Sequence, residues 1–228
     1  MTKTRWIIFT AITILLFGAL IIYSRDNRTT IDVSSVDPNS IVDASEQNGN
    51  IGDRVYNDTK SDLVFIEYAD YQCPGCASAQ PGVEQLMEKY GDKIAIVFRH
   101  FPIISAHPNA LAAAAAAEAA GAQGKFWQMN ATLFENQSQW QANNIAERTD
   151  TFKGYAEAIG LDINKFVNDL SSADISQKIN FDMALARKKG VNATPTFYFD
   201  GEKLSDEATK GILQGDLSAV SELIDSKL

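Results

Sequence analysis

The only two cysteines of the chain stand as Cys73-Pro74-Gly75-Cys76, directly after an apolar run and at the mouth of a predicted helix. A lone cysteine pair on a strand-to-helix turn marks a thiol-disulfide redox centre, and it demands a scaffold that sets a strand end beside a helix N-terminus. With no other cysteine, there is no structural disulfide framework, so any disulfide formed within a monomer joins these two.

The 228 residues, 45% hydrophobic, suffice for one globular unit with an insertion. The formal charge of -9 and the absence of a long Lys/Arg run argue against a nucleic-acid partner. Residues Trp6 to Tyr23 form an uncharged apolar run, at the short end of the about 20 residues that span a bilayer. No small-residue cleavage site ends it, so an uncleaved transmembrane anchor is expected. Lys3 and Arg5 before the run nearly balance Arg25 and Arg28 after it, and the N-terminal amine tips the orientation to N-in. Residues 24–50 are rich in Asp, Asn, Ser and Thr without sustained periodicity, which predicts a flexible tether, with the domain starting near Ile51.

Within 51–228, Leu63-Val64-Phe65-Ile66 and Ile94-Ala95-Ile96-Val97-Phe98 read as strands covered on both faces. Between them, Val83, Leu86, Met87 and Tyr90 recur at helical spacing and Gly91 marks the stop, which makes a strand, helix, strand unit. Thr196-Phe197-Tyr198-Phe199 is a third strand, followed by the turn dipeptide Asp200-Gly201, and Leu217, Val220, Leu223, Ile224 and Leu228 have the period of a closing helix. The stretch of about 105–190 holds no strand pattern but five helical segments: the alanine run Leu111 to Ala120, Phe126 to Phe134, Phe152 to Ile159, Asp162 to Leu170, and one from Ile175 toward Gly190.

A helix opening at the motif places Cys73 at its N-terminus, where free N–H groups and the helix dipole favour a thiolate, and Cys76 one turn further in. Cys73 is then the sulfur that meets substrate, Cys76 the one that resolves, and Pro74 and Gly75 between them tune the pair. Other residues read more plainly. His100 and His107 are spaced too far apart for a usual structural zinc pair and no second C-x-x-C exists, so no metal is expected. His100 reads as a hydrogen-bonded structural residue, and Phe126 and Trp127 as insert core.

The run Phe65-Ile66-Glu67-Tyr68-Ala69-Asp70-Tyr71-Gln72-Cys73-Pro74-Gly75-Cys76, with Arg99-His100-Phe101-Pro102, His107-Pro108, Gly124-Lys125-Phe126-Trp127, Leu133 to Gln137 and Thr194-Pro195-Thr196-Phe197, resembles the DsbA family of extracytoplasmic thiol-disulfide oxidoreductases, in particular its membrane-tethered Gram-positive-type members. The resemblance implies an α/β thioredoxin fold with an inserted helical domain. It implies that Glu67 is the buried acid that handles the Cys76 proton, and that Thr194-Pro195 is a cis-proline loop that offers backbone groups to a bound peptide. It further implies a monomer without a cofactor at the membrane, with the catalytic domain on its extracytoplasmic side. Such an enzyme oxidises exported proteins with free cysteines and is reoxidised by a quinone-linked membrane partner. The strongest oxidases of the family carry His where Gly75 stands, so an oxidase, a reductase or isomerase, and a non-catalytic adaptor all stay open, the intact cysteines weighing against the last.

Overall fold

The computed structural model describes residues 6, 9–18 and 31–228. Five strands, β1 (Arg54–Val55), β2 (Val64–Ala69), β3 (Ala95–His100), β4 (Thr196–Phe199) and β5 (Glu202–Lys203), form one sheet in the order β1-β3-β2-β4-β5. β2 and β3 run parallel and are joined by helix α1 (Pro74–Tyr90), whereas β4 lies antiparallel to β2. The Asp200-Gly201 dipeptide closes the β4–β5 hairpin with φ of 49° and 80°, the left-handed pair that a tight two-residue turn requires. The three strands read from the sequence are all present. The two-residue edge strands β1 and β5 are additional, too short to leave a pattern.

Between β3 and β4 the chain is helical: α2 (Ala110–Gly121), α3 (Phe126–Glu135), α4 (Gln137–Trp140), α5 (Ile145–Ala158), α6 (Ile163–Asp169) and α7 (Ala173–Lys188). α8 (Asp206–Gln214) and α9 (Ser218–Asp225) close the chain. The insert thus has one helix more than its periodicity announced, and α5 starts seven residues earlier than expected. Its first turn is set by a capping box, in which the Asn144 side chain accepts from Ala146 N and Glu147 N, while only Phe152 and Ala156 are buried to give an apolar signal.

Both faces of the sheet are covered, as the continuous apolarity of β2 and β3 demands. Phe65, Ile96, Phe197 and Phe199 pack against Val83, Leu86 and Tyr90 of α1 and against Ile212, Val220 and Ile224. Val64, Ile66, Tyr68 and Val97 pack on the other face against Ala186 of α7 and Val191. At Gly82 a Cβ would lie 2.3 Å from the Ile212 carbonyl oxygen, so the crossing of α1 over α8 needs a residue without a side chain.

The predicted domain boundary at Ile51 moves to Val33, because Val33–Leu228 forms one compact unit. The described part of the expected tether is a strap on the domain. Lys188 Nζ donates to the carbonyls of Val33, Ser34 and Val36, Arg99 donates to those of Pro38 and Ser40, and Asn48 is fully buried. Its backbone carbonyls are the partners of two cations of the domain, buried Arg99 and exposed Lys188, and such an attachment needs no apolar period in the strap itself. Residues 24–30 of the expected tether lie outside the described residues, as does much of the expected anchor Trp6 to Tyr23. Among the described residues, 9–18 are helical, and no helix is long and apolar enough to cross a membrane.

Candidate active site

α1 begins at Pro74, one residue after Cys73, which is its N-cap in extended conformation. Proline is well suited to this first position, where its missing N–H has no partner to lose. Cys73 keeps 9% exposure, whereas Cys76, one turn along the helix, is fully buried. The two sulfurs are not bonded to each other. The Cys76 side chain is the main cause that lowers Cys73 to a pKa of about 5, with burial opposing and Thr194 and the amides of Cys76 and Gly75 assisting. A thiol with that value is roughly a hundred to one thiolate at pH 7. Burial pushes Cys76 the other way, well above the ordinary thiol value, and the adjoining Cys73 adds to the effect. The less deeply buried sulfur is the anion, and the one beneath it is the proton donor.

Thr194-Pro195 faces this pair. The peptide bond is cis, and Cys73 Sγ lies 3.3 Å from the Thr194 carbonyl oxygen, to which it donates only in its thiol form. A Cβ on Gly75 would sit 3.2 Å from Pro195 Cδ and 3.7 Å from Cys73 Sγ, so the glycine leaves the two loops room to approach. Thr194 Oγ1 is buried and has no hydrogen-bond partner among the described residues.

Glu67 lies in β2 between Phe98 and Phe197, its register partners on β3 and β4. It is 3% exposed, its Oε1 has no partner among the described residues, and burial raises its pKa to about 8. The carboxyl is therefore protonated near neutrality. Its charged form acts on Cys76 and raises that thiol further, which places the two groups within electrostatic reach.

The site residues named from the sequence converge here: Cys73, Pro74, Gly75, Cys76, Glu67, Thr194 and Pro195. Others were not singled out. Gln137 Nε2 donates to the carbonyls of Tyr71 and Cys73 at 2.8 and 3.0 Å, so the helical insert holds the loop that carries the outer sulfur. Gln72 is gripped similarly, its Oε1 accepting from Asn109 N at 2.7 Å and its Nε2 donating to the Gln141 carbonyl at 2.8 Å. Asp70 meets both cysteines through its backbone, accepting from Cys73 N at 3.0 Å and donating to Cys76 Sγ at 3.5 Å. The one sequence signal for them was their place in the family-like motifs. His100 is structural, as read: it is buried, with Nε2 2.9 Å from Glu118 Oε1.

Comparisons with known proteins agree with this architecture. A family model described as Thioredoxin, Thioredoxin_4, matches residues 49–217. BdbD from Bacillus subtilis superposes with a TM-score of 0.63 at 18% identity, over 82% of this chain and 96% of that one. MdbA, a thiol-disulfide oxidoreductase from Corynebacterium diphtheriae, does so at 0.60 and 19%, over 81% and 98%. The thiol-disulfide exchange protein alpha-DsbA2 from Wolbachia pipientis gives 0.60 and 21%, over 88% and 98%. At these identities the likeness shows the fold. Among curated proteins, the Na(+)/H(+) antiporter NhaA 1 of Mycobacterium sp. (strain KMS) is 37% identical over 66% of this chain, and that of Salinispora arenicola 34% over 66%. The matched part is 24% and 22% of those proteins' lengths, so the chain spans about a quarter of the curated relatives it matches and their antiport does not pass to it.

Proposed function

The chain belongs to the Thioredoxin_4 family of thioredoxins, and on that footing we propose that it is a dithiol oxidase that introduces disulfides into exported proteins through Cys73 and Cys76. The observation that carries the reading is the split between the two sulfurs, an outer thiolate with a pKa of about 5 and an inner thiol held protonated by burial. From the oxidised pair, a substrate thiolate attacks Cys73 Sγ, the Cys73–Cys76 bond breaks, and Cys76 leaves as a thiolate that takes up a proton. Glu67, protonated and buried nearby, supplies that proton. The substrate's second thiolate then attacks its own sulfur in the mixed disulfide and expels Cys73 as the stable anion. Two electrons have moved from substrate to enzyme, while the two protons lost by the substrate thiols go to solvent, from which Glu67 regains the one it gave to Cys76. Thr194 and Pro195 present backbone groups to the peptide at this step.

Stabilising the Cys73 thiolate stabilises the reduced enzyme, and this makes its disulfide an oxidant by roughly 30 mV per pKa unit expressed in the reduced state. The domain works on the extracytoplasmic side of the cell membrane, anchored through Trp6 to Tyr23, as a monomer. A quinone-linked membrane protein returns it to the disulfide form, and anchoring keeps it within reach of that partner. The second reading, a reductase or isomerase, is favoured by Gly75 in place of His and by Thr before Pro195.

The reduction potential separates the two: a value near about -120 mV supports the oxidase and one near about -270 mV the reductase. Cys73→Ser is expected to reduce exchange with a model dithiol to background, and exchange that survives it would remove both readings. Alkylation of the reduced protein should fall as pH drops through about 5 and should modify Cys73 before Cys76.

A further inference from the structure

Asp70 follows β2 directly, is 1% exposed, and reaches both cysteines through its backbone. Its carboxylate is held by three donors from three places. Oδ1 accepts from Gln72 N at 2.7 Å, while Oδ2 accepts from Ile103 N and from His107 Nδ1, each at 2.7 Å. A turn residue needs the first of these bonds alone. The other two come from the loop that follows β3, the strand parallel to β2, and that loop is itself pinned by Phe101 N donating to the Ala69 carbonyl at 2.8 Å. His107 is the solvent end of the arrangement, with a side chain 20% exposed.

We propose that Asp70 is a positioning residue for the inner sulfur, aimed by His107, so that its amide feeds a donor chain from Asp70 N–H to Cys76 Sγ–H to the Cys73 thiolate. The inference rests on the exchange reading and deepens it. Donors in series polarise one another: an amide donating to Cys76 Sγ makes that thiol a better donor to Cys73 and stabilises the reduced pair. The same amide meets the negative charge that appears on Cys76 when a substrate thiolate opens the disulfide, which makes Cys76 a faster leaving group. Accordingly the Asp70 amide opposes the burial that pushes Cys76 up. Removing the His107 donor frees one side of the carboxylate, loosens the turn and weakens the amide's aim without touching either sulfur.

The test compares wild type, His107→Ala and His107→Asn, the last keeping a side-chain N–H near the position of Nδ1. Two readouts are needed: the ultraviolet titration of the Cys73 thiolate in the reduced protein, and the equilibrium constant of the pair with glutathione. For His107→Ala the thiolate titration moves up, and the constant favours the reduced enzyme about three- to tenfold less, which is roughly 15 to 30 mV. His107→Asn returns both to within about twofold of wild type. A folded His107→Ala protein with both quantities unchanged overturns the inference, and leaves the exchange reading standing if wild type still oxidises a dithiol. Were wild type inactive toward substrates, the titration would judge the inference alone, since it needs no substrate. Should His107→Ala not fold, Asp70→Asn, which keeps one acceptor oxygen in the turn, carries the same expectation and the same overturning result.

Discussion

Glu67 and Asp53 are both buried carboxyl groups of the same domain, and their protons behave in opposite ways. Glu67 sits between two phenylalanines with one oxygen unpartnered among the described residues, and burial raises it to about 8. Asp53 is buried just as deeply, yet Arg99 and Lys178 overcome that burial and lower its pKa. Arg99 Nη2 lies 2.7 Å and Lys178 Nζ 3.2 Å from its oxygens, all with essentially no exposure. Burial alone sets the first value and is overruled in the second. A carboxyl with partners is a charged fastener, here binding the strap of 33–53 to β3 and α7, whereas a carboxyl without them is a proton store.

Removing the fastener gives the largest effect on stability. Asp53→Ala leaves Arg99 buried without its counter-charge and Lys178 with Asp182 alone, and should cost about 3–5 kcal/mol in denaturant unfolding. The exchange rate per folded molecule should be unchanged; a loss below about 1 kcal/mol would mean that the network contributes little.

Removing the proton store acts the other way. Glu67→Gln should slow opening of the Cys73–Cys76 disulfide by about a hundredfold, the low end for general acid-base catalysis, in stopped-flow exchange. It should also gain on the order of 3 kcal/mol at pH 7, because the native wild-type carboxyl must hold a proton that the unfolded chain has released. The signs separate the two acids by pH. The Glu67 contribution is fully present below the ordinary 4.5 and is lost as pH rises toward about 8. The Asp53 contribution is present above the ordinary 3.8 and is lost as pH falls through its lowered native value. Glu67→Gln should therefore flatten the alkaline side of the stability profile and Asp53→Ala the acid side. Identical profiles for the two variants would break the comparison.

The smallest effect belongs to a pair in water. Lys165 and Asp169 are 2.7 Å apart on α6, but the lysine side chain is 49% exposed, so Lys165→Ala should change stability by no more than about 0.5 kcal/mol. A larger loss would show that solvent screens this pair less than its exposure implies.

Much of the site was legible because its parts are neighbours in the chain. Cys73, Pro74, Gly75 and Cys76 fall in one helical turn, and an acidic residue among the apolar residues of β2 announces its own burial. The fold was legible where apolar periodicity is strong, as in α1 and the three inner strands. It was not legible in the strap, whose polar residues are held through their backbone, or in α4 and the start of α5, where local caps do the ordering. Asp70, His107 and Gln137 left no chemical signal of their own, since an aspartate, a histidine and a glutamine in loops or short helices are ordinarily surface residues.

The sequence alone determined the redox pair, its place on a strand-to-helix turn, the acid six residues before it and a helical stretch between the second and third of the strands it announces. It took the tertiary structure to show that burial holds the Cys76 thiol protonated, that Glu67 has no ion-pair partner among the described residues while Asp53 has two, and that Asp70 and Gln137 hold the loop. The physical reason is range. Periodicity and turn chemistry are written within a few residues, whereas the Asp53–Arg99 pair spans 46 positions, the Gln137–Cys73 bond 64 and the Lys178–Asp53 bond 125. Contacts at such separations exist only after the sheet has closed and water has been excluded, and it is there that partners, or their absence, set the charge.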